Sequence, residues 1–290
     1  MAIRPRIAFA TCSWLPKLTP DDHVLRTAVA SAGMRAVPSV WDDENVDWHA
    51  FDGCVLRSPW DYHTKREAFV AWAAKVAEAV PMFNSARIIA WNTDKNYLRT
   101  LAERGVPTIP TYWVQRGAGF DLAALRAARS WREVVIKPTV GLGALNLHRV
   151  QVAAPDAQQA LDDLLRDNDV MVQPYLTSVE RRGEVSLVYV NGEISHAVRK
   201  TPRPGDFRVQ PMWGGSVAPV KPQAREREVA ERALAEVDGC PLYARVDLVE
   251  DDEGQPCLIE LELVDPNLFF GAEPGAARCF AAALRTAISA

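Results

Sequence analysis

Tyr243-Ala-Arg-Val-Asp-Leu-Val-Glu-Asp-Asp-Glu-Gly-Gln-Pro-Cys-Leu-Ile-Glu-Leu-Glu262 decides how this chain is read. Two apolar runs flank the acidic turn Asp251-Asp-Glu-Gly254, as in a β-hairpin. Side chains two apart on a strand share a face, so Arg245 stands beside Asp247 and Glu260 beside Glu262. If both couples reach one face, three carboxylates and an arginine converge on a small volume. Three anions that close repel one another unless a cation lies between them, and an all-oxygen donor set suits Mg²⁺. One such pair is most simply two solvated strand faces. Two pairs across one hairpin, set among Val, Leu and Ile, predict a metal site at Asp247, Glu260 and Glu262.

The rest of the composition narrows the class. At 290 residues, two or three compact units are expected. Hydrophobic content of 48% and charged content of 24% are those of a globular protein. A net charge of −4 leaves no basic excess to neutralise phosphates or lipid headgroups, which argues against nucleic-acid and membrane partners. The five cysteines (Cys12, Cys54, Cys240, Cys257, Cys279) are scattered, with no C-x-x-C pair, so reduced thiols are expected rather than zinc or disulfides. The opening Met-Ala-Ile-Arg-Pro-Arg is too charged for a secretory signal, and no run approaches the ~18 apolar residues of a membrane span. A soluble, cytoplasmic protein is the expectation.

Along the chain, residues 6–11, 35–40 and 53–57 read as strands. Between the first two lies a helix capped by Thr19, with Pro20 at its first position and Gly33 at its stop. Thr64, with Glu67 three residues on, predicts a capping box for the next helix. This opening segment looks like a small α/β unit with a parallel sheet. Thr93 is expected to cap a further helix that Gly105 ends. Strands follow at 107–114, 134–138, 170–176 and 184–190, the last closed by the tight turn Asn191-Gly192. Helices are expected at 156–166, about 222–238 and 273–288. Arg203–Gly215, rich in Pro, Gly and Arg, reads as a mobile loop.

A second stretch carries chemistry. Ile136-Lys-Pro-Thr-Val-Gly-Leu-Gly-Ala144 places Lys137 at a strand end before a turn containing Gly141 and Gly143. Glycines let backbone approach a ligand, and successive N–H groups in such a turn can cradle phosphate. Alone it is a weak signal, and the order G-K-[ST] of a Walker loop is missing. The order of elements adds weight: Lys95, then Lys137 and its glycine turn, then Gln173-Pro-Tyr-Leu176, Gly183-Glu184, Arg199-Lys200 and last the acidic hairpin.

That series resembles the ATP-grasp superfamily over about residues 90–290. The resemblance implies a Rossmann-like N-terminal α/β domain over 1–87 and two α+β subdomains, 88–171 and 172–290, that hold ATP between them. It further implies that Lys95 and Lys137 meet the α- and β-phosphates under the glycine turn. Gln173, Pro174, Tyr175 and Leu176 would read adenine, and Glu184 the ribose. Lys200, with Arg199, would meet the γ-phosphate. Asp247, Glu260 and Glu262 would hold two Mg²⁺, with Mn²⁺ as an alternative, and Arg245 would stabilise the acyl-phosphate or tetrahedral intermediate. Many members read E-x-N where this chain has Glu260-Leu-Glu262, which makes the site more anionic.

Leu56-Arg-Ser-Pro-Trp-Asp-Tyr62 and Ile259–Phe270 are similar to the group containing the D-cycloserine-forming cyclo-ligase of antibiotic biosynthesis, related more distantly to glutathione synthetase-like and RimK-like enzymes. Arg57, Trp60 and Tyr62 would then face a small amino-acid-like substrate, though strand-end packing explains them equally well. The expected reaction is activation of a carboxylate by ATP and capture by nitrogen, from the same molecule or another. The rival readings are a nucleotide-binding protein without turnover and a small-molecule kinase. A homodimer would suit the family. Of the remaining residues, His63 beside Tyr62 is the histidine to test, and Cys12 is expected to be a small buried side chain.

Overall fold

The computed structural model describes residues 4–289. The N-terminal unit runs β1 (Arg6–Thr11), α1 (Pro20–Ser31), β2 (Arg35–Val40), β3 (Gly53–Ser58), α2 (Arg66–Ala79) and β4 (Met82–Phe83). Its strands form a parallel sheet in the order β2-β1-β3-β4. Thr19 accepts the Asp22 N–H and Asp22 accepts the Thr19 N–H, so α1 begins with a reciprocal cap. The box expected at Thr64 does not form. The Thr64 hydroxyl instead donates to the Asp61 carbonyl within a tight turn, and α2 starts at Arg66. The chain leaves the sheet in opposite directions after β1 and β3, which opens a crevice at their carboxyl ends, where Cys12 and Arg57–Tyr62 lie.

The middle of the chain gives α3 (Ala86–Asn92), α4 (Tyr97–Glu103), β5 (Tyr112–Val114), α5 (Leu122–Arg129), β6 (Glu133–Pro138), β7 (His148–Gln151), α6 (Ala157–Leu165) and β8 (Val170–Pro174). Thr93 ends α3 rather than opening a helix, because residues 93–96 turn so that the Lys95 N–H bonds the Thr139 carbonyl. The sheet is antiparallel in the order β5-β8-β6-β7. Val134, Ile136, Val170 and Val172 pack from it onto Leu125 of α5 and Leu161 of α6.

The remaining elements are α7 (Ser178–Arg182), β9 (Glu184–Val190), β10 (Glu193–Thr201), β11 (Ser216–Pro219), α8 (Ala224–Ala235), β12 (Tyr243–Glu250), β13 (Pro256–Glu262) and α9 (Ala276–Ser289). The five strands form an antiparallel sheet in the order β11-β10-β9-β12-β13. At the turn joining β9 to β10, Asn191 and Gly192 have φ of 51° and 81°, the left-handed pair that a two-residue hairpin demands. One face of the sheet packs on α4 and α8 through Leu98, Leu101, Val229 and Ala233. Helix α9 returns to the N-terminal unit and packs on α1.

Two details bear on the units expected from the sequence. A boundary near 172 falls inside β8, whose pairing with β6 runs from Val170 to Pro174. Helix α4, grouped with the central unit, buries its apolar face on the C-terminal sheet. We therefore propose that the passage between the two ATP-grasp subdomains lies after Pro174. The N-terminal and C-terminal units are stitched by Asn84, whose amide donates to the Tyr243 and Leu263 carbonyls and accepts from the Leu242 N–H.

Candidate active site

The hairpin register places Arg245 opposite Glu262 and Asp247 opposite Glu260. All four face one side because Val246, Leu261 and Leu263 are drawn into the core. Strand β13 lies at the sheet's edge, where unpaired backbone would be exposed. Asn92 accepts the Leu263 N–H and donates to the Leu261 carbonyl, and the Tyr97 hydroxyl accepts the Leu261 N–H. These contacts hold Glu260 and Glu262 toward the cleft. One carboxylate oxygen from each of Asp247, Glu260 and Glu262 lies within 4.8 Å of the others. Asp247 is sealed, whereas Glu260 and Glu262 keep 32% and 20% of their side chains exposed, so a cation arriving through the cleft can reach them.

The anions are not left bare. Asp247 accepts from Ser186 at 2.6 Å, Lys200 at 2.9 Å and Arg245 at 2.9 and 3.0 Å. Burial opposes its ionisation, but Arg245 and Lys200 outweigh that and hold its pKa well below the usual carboxylate range. Lys200 also meets Glu184 at 2.8 Å. Burial works against the Lys200 charge, yet Asp247 and Glu184 hold its pKa up. Glu260 meets Lys95 at 3.2 Å, and Arg245 bonds Glu262 as well as Asp247. Around this cleft Asp247, Glu260, Glu262, Glu184 and Asp265 face Arg245, Lys200, Lys95 and Lys137, one anion more than cations. Glu262 takes up this imbalance by holding its proton. Burial pushes it up to about 8, Arg245 opposes the shift, and Glu260 and Asp247 add to it. Its contact with Arg245 is one arm of a guanidinium shared with Asp247, which is why the pairing does not restore an ordinary value. An oxygen-only donor set in which Glu260 and Glu262 remain open to the cleft fits a hard divalent cation.

Lys137, Gln173, Pro174, Tyr175, Leu176 and Glu184 line a single pocket beside the triad, walled further by Ile109, Val209 and Ile259. The β6 alternation sends Ile136 to the core and Lys137 to this pocket. Burial lowers the Lys137 pKa to about 8; Glu260 and Glu184 oppose the shift and Lys95 adds to it. The Gln173 amide donates to Thr111 and the Tyr175 N–H to the Glu133 carbonyl, so these two groups are already engaged. Gly183, at φ 73°, precedes Glu184; a Cβ there would lie 2.2 Å from the Lys200 carbonyl. Only glycine lets the strand begin close enough to set Glu184 against Lys200. Over the pocket, the Gly141 carbonyl accepts from Lys95 at 2.7 Å and the Gly143 carbonyl from the Trp213 indole at 3.0 Å. The 203–215 loop, which also supplies Phe207 and Arg208, is thus folded onto the glycine turn.

The substrate-side residues are placed differently from the expectation. Arg57 is buried and locked: its Nε donates to Asp22 at 2.7 Å and its Nη2 to the Pro266 carbonyl at 3.4 Å. A bidentate grip on a ligand carboxylate is therefore not free, because the buried Asp22 needs this counter-charge; Nη1 alone has no partner. The Trp60 indole donates to the Asp265 carbonyl at 3.3 Å and stands 6.1 Å from the exposed Trp14. Tyr62 stacks on Phe69, and burial followed by the charges of Asp265, Glu260 and Glu262 pushes its phenol up. Arg199 is not brought to the cluster. It is next to Lys200 on β10, so it points to the opposite face, where it donates to the Arg182 carbonyl. Burial raises the Cys12 thiol and lowers His63, whose Nδ1 is buried without a partner. Sequence reasoning missed Ser186, the 207–210 side of the pocket and Asp265. The Asp-Pro-Asn turn signal at 265–267 was the clue available for the last.

Comparison with known proteins gives the family. The family model of the D-cycloserine synthetase DcsG N-terminal domain matches residues 7–84, and that of the prokaryotic glutathione synthetase ATP-grasp domain matches 120–261. The cycloserine biosynthesis protein DcsG of Streptomyces lavendulae is 36% identical over 286 residues, covering 91% of this chain and 92% of that protein. The chain belongs to the ATP-grasp family. Within it, the crystal structure of D-cycloserine synthetase DcsG superposes with a TM-score of 0.87 at 32% identity, covering 98% and 99% of the two chains. A glutathione synthetase of Prochlorococcus marinus is 35% identical over half of this chain and 44% of its own length. D-alanine–D-alanine ligase from Bacillus anthracis, 14% identical with a TM-score of 0.68, covering 99% of this chain and 97% of that one, shares the fold. This ATP-grasp ligase joins a carboxylate to an amine at the expense of ATP, and the family works with ATP and magnesium. Among the described residues, no helix is long and apolar enough to cross a membrane.

Proposed function

We propose that this ligase activates the carboxylate of a small amino acid as an acyl phosphate and captures it with a nitrogen of the same molecule, closing a ring as in D-cycloserine formation. The observation that carries the reading is the bond from Trp60 of the N-terminal domain to the Asp265 carbonyl, three residues beyond Glu262 of the Asp247–Glu260–Glu262 triad. Adenine would lie between Ile109, Tyr175, Leu176 and Ile259, with the ribose at Glu184. Lys137 and Lys95 would hold the phosphates and Lys200 the γ-phosphate. Asp247, Glu260 and Glu262 would hold two Mg²⁺, which supply the positive charge that lets an anionic carboxylate approach an anionic phosphate. Arg245, already braced by two carboxylates and the Asn267 carbonyl, is set to meet charge that grows on the acyl oxygen.

The balance is simple. A carboxylate oxygen bonds the γ-phosphorus as the bond to ADP breaks, then nitrogen bonds the acyl carbon as phosphate leaves and the nitrogen loses a proton. The protein supplies placement and charge rather than a covalent nucleophile. A cytoplasmic location and a homodimer are part of the same proposal. The deciding experiment incubates the enzyme and Mg²⁺-ATP with D- and L-serine derivatives carrying a nitrogen on the side-chain oxygen. ADP, inorganic phosphate and a cyclic C–N product are expected. ADP with a stable phosphorylated acid would make the protein a kinase, and no turnover with any acid would leave only nucleotide binding.

A further inference from the structure

Immediately after the acidic hairpin, three successive carbonyls are each held by a side chain. Asp265 accepts from the Trp60 indole at 3.3 Å, Pro266 from Arg57 at 3.4 Å and Asn267 from Arg245 at 3.1 Å. Two donors come from the N-terminal domain and one from the hairpin. A turn pinned this way has a fixed backbone, so the direction of its side chains is fixed as well. Asp265 itself is 5% exposed, and its Oδ2 has no hydrogen-bond partner. A buried carboxylate oxygen left unpaired is costly, and a bound ligand is one way in which a native structure completes it. The residue lies within electrostatic reach of Glu260 and Arg245 on one side and of Arg57 and Tyr62 on the other, between the metal triad and the crevice at the ends of β1 and β3.

We propose that Asp265 is the seat of the substrate's α-ammonium group, with Trp60 as the wall beside it. The inference rests on the amino-acid reading above and names the residue that enforces it. An ammonium brings donors and a directly paired positive charge to an oxygen that has neither: among the described residues no Lys, Arg or His pairs with Asp265 within 4 Å, and Arg245, Lys95 and Arg57 act on it only from farther away. The placement orients the substrate. With the ammonium at Asp265, the carboxylate of a small amino acid points toward Arg245 and the triad, where phosphorylation takes place. Burial raises the Asp265 pKa to about 7, Arg245 opposes and Glu260 adds to the shift, so the arriving cation is what completes its ionisation.

The test compares amino acids with their desamino counterparts, in wild type and in Asp265→Asn, by ADP and phosphate release. Wild type should discriminate against the desamino acids by at least about a hundredfold in kcat/KM, and up to about ten-thousandfold where a buried site is left with its polar group unpaired. Asp265→Asn should lose most of that ratio, through a higher KM for the amino acid, while the ATP KM and the Mg²⁺ requirement stay within about twofold. A merely structural role would lower both substrate classes together and leave the ratio intact. Equal turnover of amino and desamino acids by wild type would overturn the ammonium seat while the ligase reading stands. A shift in Mg²⁺ dependence instead would make Asp265 a metal ligand and also overturn it. Failure of every acid to release ADP and phosphate would remove the ligase reading and this inference with it.

Discussion

The hairpin face and the pinned turn that follows it are both made of buried charge, yet they are built in opposite ways. Asp247, Glu260 and Glu262 lie on two adjacent strands, and one pairing register brings them together. The turn at 265–267 is held by Arg57 and Trp60, which lie 209 and 205 positions earlier in the chain. The first arrangement depends on local hydrogen bonding, while the second exists only when the N-terminal domain is docked. In the proposed reading the phosphate and metal chemistry sits on the local element and selection of the acid where two domains meet, so contacts there could change without disturbing the former.

The comparison breaks most sharply at the triad. Glu260→Gln or Asp247→Asn should lower kcat by on the order of a thousandfold or more, since each removes an anionic oxygen from the cation's donor set. ADP release in saturating Mg²⁺ measures it, and near-normal rates in both variants would refute the metal site. Arg57→Ala comes next and should act on stability. It leaves Asp22 buried without its counter-charge, with only Thr19 and Ser58 still bonded to it, at a cost of about 3–5 kcal/mol. Urea denaturation followed by tryptophan fluorescence would detect it; an unchanged midpoint with a raised amino-acid KM would return Arg57 to a direct substrate role.

Lys137→Ala should weaken ATP binding by about ten- to a hundredfold, the value of one lost charge-assisted contact. Calorimetric titration in the presence of Mg²⁺ checks this, and unchanged affinity in a folded variant would show that the glycine turn is not a phosphate cradle. The smallest effect is on pH. With its pKa lowered to about 8, Lys137 is an ammonium below that pH and increasingly a neutral amine above it. Phosphate binding requires the ammonium, so ATP affinity should be level below pH 8 and fall above it, by at most about tenfold per pH unit, as binding takes up a proton. Lys137→Arg should keep its charge and flatten this limb; a wild-type profile that is already flat to pH 9.5 would contradict the assignment.

Much of the hairpin was readable because its rules are local. Alternation along a strand, the acidic Gly-containing turn and the Asn191-Gly192 turn depend on neighbouring residues alone. The same alternation says that Arg199 and Lys200 point to opposite faces, but not which of them meets the cleft. That was decided by the pairing of Lys200 with Glu184 across β9 and β10. Thr64 and Thr93 carried local cap signals that the chain did not use, because Thr64 bonds back to the Asp61 carbonyl and the Lys95 N–H after Thr93 is drawn to the Thr139 carbonyl.

The sequence by itself determined the strands, their facing carboxylates and the ATP-grasp order of lysines, glycines and acids. These follow from backbone geometry and side-chain chemistry over a few residues. Only the tertiary structure decided that Arg57 serves Asp22, that Arg245, Lys200 and Lys95 already compensate the triad, and that Asp265 is left buried with an open oxygen. A charge's partner and its desolvation depend on what distant segments bring within a few ångströms, and no local pattern encodes that distance.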